Sequence, residues 1–526
     1  MKKLESGQAR SELKARAAVG LYINKAAVYA EKHGYIGALQ SQDMQRNYLN
    51  PALTYTKETV VNSEPKNNDP FLNSFWVANT QGMPAAIALL DKTLMSQQWN
   101  HELVKLKALL LATVAKEFEE KAQYKESYDA KIKTANTYRQ ATEMARSFPY
   151  NYLWLCDIEL KLVVDAVSRT DRELNLHASH AIEACEHYLL TQPGSTLGAD
   201  NLTLAYLMKA FWQIMHGESA QKSIELAHSW NSKSLDSAAT VHAKVLSSYV
   251  LAVEASWRAA QGLDIGDKVK QAGEVLTQLV KEGGAVAEDL AVDFLSITNL
   301  KIEQRLRLMQ PIDDLVIQVE QYFNDGINTQ SLLYEDKKVL MGNVIQTYMQ
   351  KIMYEKYLAG QVYQVASGYL PQFETAYEFI KFDPNSLVHY AHLHLILAEY
   401  GTQVELKKQI SLASDLVDQA FAINQSSQSV LMAKAVIMNW QAVIHSGEFE
   451  AVNQAFQTAI DVNPKWAQAY QVWADAMLVQ AQYAMDEQSV KQAVSMGLEK
   501  INLAIEKDPL NKSFLITKAS LQRFEK

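Results

Sequence analysis

Thiols are scarce in this chain. Cys156 and Cys185 are its two cysteines; they stand too far apart for a CxxC pair, and a chain of 526 residues this poor in cysteine is expected not to rely on disulfides. Proline and glycine are sparse too, with 11 and 20 copies that fall mostly between long segments of helical apolar spacing. That is the punctuation of an all-α protein. No stretch sustains period-2 alternation between hairpin turns, which excludes a sheet fold. The longest strongly apolar run, Ala108 to Ala115, is closed off by Lys107 and Lys116 and is too short to cross a bilayer. The opening MKKLESGQARSELKARAAVGLY carries charge through Arg16 and so lacks the apolar stretch of a signal peptide. No membrane insertion is expected, and the cytoplasm is the expected compartment, with the periplasm as the alternative if the chain was cut from a longer anchored one. Charge of one sign is also missing: 50 basic residues interleave with 59 acidic ones for a net charge of -9, as between His101 and Lys133. Nucleic acid is therefore not an expected partner.

Catalytic signatures are missing as well. No two glycines stand as GxG, which excludes the dinucleotide fingerprint and the glycine-rich loop of protein kinases. Walker A, HRD, DFG, GxSxG and HExxH do not occur; His101-Glu102 comes nearest to the last, but Lys105 stands where its second histidine belongs. No paired carboxylates recur at positions that would line the centre of a helical toroid enzyme. Neither an enzyme nor a cofactor is expected. His177, His180 and His187 share one expected helix, and His389, His392 and His394 another. Such spacing can offer two or three ligands to zinc, but both groups read as surface or groove histidines, so no metal is expected. Cys185 reads as a small buried hydrophobe.

What the sequence does contain is length and helical apolar pattern. At 526 residues and 48% hydrophobic it exceeds what one compact core holds. From Leu21 to Pro51, with Tyr22 as the fourth place of a unit of about 34 residues, Ala26, Tyr29, Tyr35 and Ala38 take the eighth, eleventh, seventeenth and twentieth places and Pro51 closes the unit. Small residues stand where two antiparallel helices must touch, and large ones a turn to either side. A single helix pair cannot bury its own apolar face, so further copies are required. Residues at i, i+4 and i+7, followed five places on by a turn, mark the second helix of each copy. They recur as Ala86, Leu90, Thr93 before Gln98; Ala181, Cys185, Tyr188 before Pro193; Ala413, Val417, Ala420 before Gln425; Val452, Phe456, Ala459 before Pro464; and Gly497, Ile501, Ala504 before Pro509. In Asn463-Pro464 and Asp508-Pro509 the side chain before proline can cap the following helix. Trp466, Tyr470 and Trp473 share one face and read as a core ridge.

The implied organisation is a helix pair over 1–59, a loop over 60–73 marked by Pro65 and Pro70, repeats over 74–230, degenerate repeats over 231–383, and repeats again over 384–526. Within the degenerate part, Ala285 to Gln310 and Ser331 to Ala359 read as long helices, with Pro311 placed to open the one between. A separate helical domain there, bounded near Gly262 to Asp267 or Gly283 to Gly284, is the alternative.

Over Val19 to Pro51 and Asn385 to Asn511 the chain resembles the tetratricopeptide repeat (TPR) superfamily. The resemblance implies an all-α, right-handed α-solenoid of antiparallel helix pairs, whose first helices line a concave groove that receives a partner peptide or helix. It implies protein binding rather than catalysis. Carried onto the unit after Pro464, the groove-facing places fall on Gln468, Gln471 and Asp475. The carboxylate-clamp pattern of some TPR domains is not met, since Tyr22's unit has Ile23 and Ala27 at two of its places. More loosely, Asp69 to Leu94 and Thr137 to Val163 resemble the degenerate TPR-like region that follows the kinase domain in some bacterial Ser/Thr protein kinases. That implies a sensor or regulatory module whose catalytic or DNA-binding part lies on another chain.

Overall fold

The computed structural model describes residues 69–525, apart from 122, 168–170, 329–333, 446–448 and 485, together with residues 14, 17, 18, 21, 25, 44, 46 and 47. The unit expected around Tyr22, Ala26, Tyr29, Tyr35, Ala38 and Pro51 lies outside the described residues. Every regular element among the described residues is helical: α1 (Pro70–Gln81), α2 (Met83–Ser96), α3 (His101–Glu120), α4 (Tyr124–Met144), α5 (Pro149–Val167), α6 (Asp171–Thr191), α7 (Thr196–Met215), α8 (Gln221–Ser237), α9 (Val241–Ala260), α10 (Gly266–Lys281), α11 (Ala291–Arg307), α12 (Asp313–Ile327), α13 (Tyr334–Tyr357), α14 (Val362–Ile380), α15 (Pro384–Tyr400), α16 (Gln403–Ile423), α17 (Gln428–His445), α18 (Phe449–Val462), α19 (Ala467–Tyr483), α20 (Glu487–Lys507) and α21 (Ser513–Gln522), with a last 3-10 turn at Arg523–Glu525. The fold is an α-solenoid of antiparallel helix pairs. Two compact units divide it: Met1–Asp165, Leu174–Met208 and Leu226–Leu246 form the first, and Ala166–Glu173, Lys209–Glu225 and Ser247–Lys526 the second.

Local sequence explains where the helices begin. Asp69 accepts a hydrogen bond from the Phe71 amide at 2.9 Å with Pro70 in the first turn, so helix starts inside the loop expected over 60–73. Asp383 does the same for α15, accepting from the Asn385 and Ser386 amides ahead of an N-terminal Pro384. Proline suits that place because its missing N–H would have had no helical partner. Pro464 and Pro509 behave otherwise: they sit in turns short of α19 and α21. Asn463 Oδ1 accepts from the Lys465 amide within its turn, and Asn511, rather than Asp508, accepts from the Ser513 amide that opens α21. The expected long helix over 285–310 begins only at Ala291, after a turn in which Gly283 takes a φ of 67°.

The triplets are core. Ala181, Cys185 and Tyr188 of α6, Ala413, Val417 and Ala420 of α16, Val452, Phe456 and Ala459 of α18, and Gly497, Ile501 and Ala504 of α20 are buried, as are Ala86 and Leu90 of α2; Thr93 is half-buried. In the second unit α11–α12, α13–α14, α15–α16, α17–α18 and α19–α20 pack as pairs, and the first helices α11, α13, α15, α17, α19 and α21 touch in chain order. Trp473 stacks on Phe456 at 5.5 Å, a core position.

The cysteine expectation needs correction. Cys156 of α5 and Cys185 of α6 form a disulfide with Cα atoms 5.4 Å apart. The triplet position of Cys185 faces the neighbouring helix, where Cys156 stands.

The second unit also bonds to itself over long range. Arg307, at the end of α11, makes a two-pronged pair with Asp508 after α20, Nε to Oδ2 at 3.0 Å and Nη2 to Oδ1 at 2.8 Å, across 201 residues. The Lys512 amide donates to the Arg307 carbonyl at 2.7 Å. Asn463 Nδ2 donates to the Ile214 carbonyl at 3.0 Å, across 249 residues. Gly262, at φ +70°, lies against the same place as Asp508: a Cβ there would come within 2.5 Å of the Lys507 carbonyl oxygen. Turns far apart in the sequence are thus joined within the second unit.

Candidate binding face

The first helices of the second unit are joined by polar side chains as well as apolar ones. Asn299 of α11 donates to the Asn343 carbonyl of α13 at 3.0 Å. Gln480 of α19 donates to Asn439 Oδ1 of α17 at 2.7 Å. Gln471 Nε2 of α19 reaches Ser513 and Thr517 of α21, each at 3.4 Å. Groups this buried must find partners or the fold loses their hydration.

Ionisable groups gather on the same helices. Lys356 Nζ at the end of α13 pairs with Glu399 Oε2 of α15 at 2.8 Å. Asp475 of α19 accepts from Thr517 at 2.9 Å. Burial opposes the charge on Lys356, but Glu399 and Asp475 outweigh it and hold the ammonium above the ordinary lysine range. Burial pushes the Asp475 carboxyl up to about 6; Lys356 and Thr517 oppose the rise, and the Glu399 charge adds to it. Burial and then Asp475 hold Tyr357 above the usual phenol range, near Gln471 and Ser513. Lys356 interacts with Asp475 although α15 and α17 come between their helices in packing order. His389 and His392 of α15 share this enclosure. Burial pulls both down to about 4, with His389 and Lys356 adding to the effect on His392. His389 Nδ1 is buried without a hydrogen-bond partner among the described residues.

Of the three groove residues read from the sequence, Asp475 stands in this cluster. Gln471 is buried beside it, holding α21, and Gln468 is half-buried one turn earlier. Lys356 and Tyr357 were not legible, because their repeat is degenerate, and Glu399 was not, because it stands near the end of α15, past the expected groove places of its repeat. His394 faces away from His389 and His392, with Nδ1 2.6 Å from Gln409 Oε1.

A second ionisable group lies in the first unit. His177 Nδ1 is 2.6 Å from Glu159 Oε2, and His180 Nδ1 3.6 Å from Glu159 Oε1. His187, on the same helix, stacks on Tyr152 instead. The three ligating atoms lie within 4.8 Å of one another, but Arg139 Nη2 sits 2.7 Å from Glu159 Oε1 and 3.3 Å from His180 Nδ1. A guanidinium already stands where a divalent ion would, and burial of Glu159 is outweighed by its bonds to the two histidines, so its carboxyl stays below the ordinary range. Glu159 escaped notice in the sequence because it sits inside the apolar run of α5.

No helix among the described residues is long and apolar enough to cross a membrane. No family model matches the sequence, and no curated protein matches it. Solved structures do. A monomeric IFIT1 mutant with m7Gppp-AAAA is 11% identical with a TM-score of 0.41, over 96% of this chain and 99% of that one. The Schizosaccharomyces pombe (S. pombe) nuclear import adaptor Nro1 is 13% identical with a TM-score of 0.25, over 61% and 95%. Naa15, in the Naa15/Naa10 complex bound to HypK-THB, is 13% identical with a TM-score of 0.26, over 92% and 77%.

Proposed function

We propose that this chain is a protein-interaction scaffold that takes an extended or helical segment of a partner along the hollow side of α13, α15, α17 and α19, with no turnover of its own. The observation that carries the reading is the enclosed cluster of Lys356, Glu399, Asp475, His389 and His392. Five ionisable side chains from three first helices act on one another electrostatically, and one of them keeps a buried ring nitrogen without a partner among the described residues. A peptide backbone or polar side chain laid there would supply that bond. Side chains fixed by neighbouring helices lose little freedom on binding, which favours recognition by such a face.

The kinase-associated regulatory role rests on the sequence resemblance of Asp69 to Leu94 and Thr137 to Val163. Between the two compartments left open by the sequence, the Cys156–Cys185 bond favours the oxidising one. Affinity capture from the native organism tests the scaffold. Gln468→Ala, Gln471→Ala and Asp475→Ala together should weaken capture of a specific protein while the helical circular dichroism signal persists. Capture unchanged by the triple substitution would move the site elsewhere; capture lost on nuclease treatment would make the partner a nucleic acid. Turnover of a substrate by the purified chain would overturn the reading.

A further inference from the structure

A cleft of about 440 Å³ opens between α10, α11 and α12, lined by none of the ionisable residues of the cluster just described. Its size is within the range of small-molecule sites. Lys270 of α10 and Lys301 and Arg305 of α11 line it, against one carboxylate, Glu274. Glu274 is exposed and turned to Lys270 at 3.9 Å.

Lys301 is the unusual group. Several lysines of the second unit that are at least half-buried hold carboxylates: Lys351 holds Asp313 and Glu355, Lys356 holds Glu399, and Lys268 holds Glu254. Lys301 is half-buried and makes no hydrogen bond or ion pair among the described residues. Burial, followed by repulsion from Arg305, pulls its ammonium below the ordinary lysine range. Its ammonium lies over Gly273 of α10, where a Cβ would come within 3.4 Å of Nζ. Among the described residues Arg305 uses only Nη1, for the Pro311 carbonyl and Asp314, which leaves the other edge of its guanidinium for a ligand. Phe294 and Tyr322, stacked at 5.1 Å and 15°, form an aromatic wall, and Gln318 donates to the Tyr322 hydroxyl at 3.2 Å.

Two cations side by side, one of them desolvated and without a counter-ion, repel each other unless an anion joins them. We propose that this cleft binds a small molecule bearing an oxyanion, a phosphate or a carboxylate, which pairs with Lys301 and Arg305 while its body lies against Phe294 and Tyr322. The guanidinium fork fits either oxyanion, and Lys301 adds a point charge.

The test uses the full chain with inorganic phosphate and, separately, succinate, against chloride at equal ionic strength. A saturable rise in melting temperature is expected with at least one of them, and the anion that gives it identifies the group bound. Lys301→Met should abolish the rise, whereas Lys491→Met, on the exposed face of α20, should keep it. In the unsubstituted chain, amine labelling of Lys301 read by mass spectrometry should slow several-fold when the anion is added. No response beyond chloride, a rise retained in Lys301→Met, or unchanged labelling would overturn the proposal; if Lys301→Met does not fold, the labelling decides alone.

Discussion

Replacing Arg307 by methionine gives the most decisive test of how the second unit holds together. Arg307 is 3% exposed and Asp508 2%, and besides its two bonds to the carboxylate the guanidinium donates from Nη1 to the Leu263 carbonyl at 3.0 Å. Methionine fills much of the side-chain volume, so the main effect is to leave the Asp508 carboxylate buried without its cation. Breaking a buried pair from one side costs about 3 to 5 kcal/mol, because desolvation of the remaining charge is no longer offset. Removing both charges behaves differently: Arg307→Met with Asp508→Leu leaves neither half of the pair unmatched, and should recover much of the loss although the Leu263 carbonyl still lacks its donor. The coupling between the single changes should therefore be about 2 kcal/mol or more. Urea unfolding of the full chain and its three variants gives the energies, and hydrogen exchange at the Lys512 amide, which donates to the Arg307 carbonyl, reports whether the junction itself has opened. Single variants that each lose less than about 1 kcal/mol, or losses that simply add in the double variant, would refute the argument.

Further outcomes follow from the same structure. His389 and His392 titrate at about 4 in the fold against 6.5 ordinarily, so their contribution to stability is full above pH 6.5 and is lost as the pH falls toward 4. Asp475, raised from 3.8 to about 6, acts in the opposite sense: its contribution is present below 3.8 and is lost as the pH rises through 6. His389→Gln with His392→Gln should thus flatten the acid limb of a melting-temperature profile, and Asp475→Asn should steepen it; unchanged profiles would show that these groups meet water freely. Reducing the Cys156–Cys185 bond, which spans 29 residues, should destabilise the first unit by about 3 to 4 kcal/mol on chain-entropy grounds; a calorimetric trace unaltered by reductant would contradict this. Gly497→Val should cost about 2 kcal/mol or more by overpacking, since even a Cβ there would lie 2.8 Å from the Leu521 side chain; a denaturation midpoint equal to the parent's would mean that α20 and α21 can part.

The all-α solenoid was legible because its signals are local. Ala413, Val417 and Ala420 repeat at the helical period, and the turn that follows is written a few residues later, so neighbouring positions determine both. Of the cluster proposed to receive a partner, Asp475 was legible, by a fixed place on the first helix of a well-formed repeat. Lys356 was not, since the repeat that carries it has drifted from the pattern, and Glu399 was not, since it lies near the end of its helix, past the groove places of its repeat. What joins distant segments left no trace in spacing. Asp508 looks like a cap in sequence, yet its carboxylate is taken by a guanidinium 201 residues earlier, and Asn511 takes up the capping. Cys156, Glu159 and Lys301 share that difficulty, for each acquires its role from the helix packed beside it.

An open stack of helix pairs resembles a row of dominoes, in which each repeat answers only to its neighbours. The bonds of Asp508 to Arg307 and of Asn463 to Ile214 turn the second unit into something closer to a coil spring welded between its turns. Prying one pair outward strains welds that belong to pairs far along the chain, so local fraying is suppressed and the pairs of this unit open together rather than one by one.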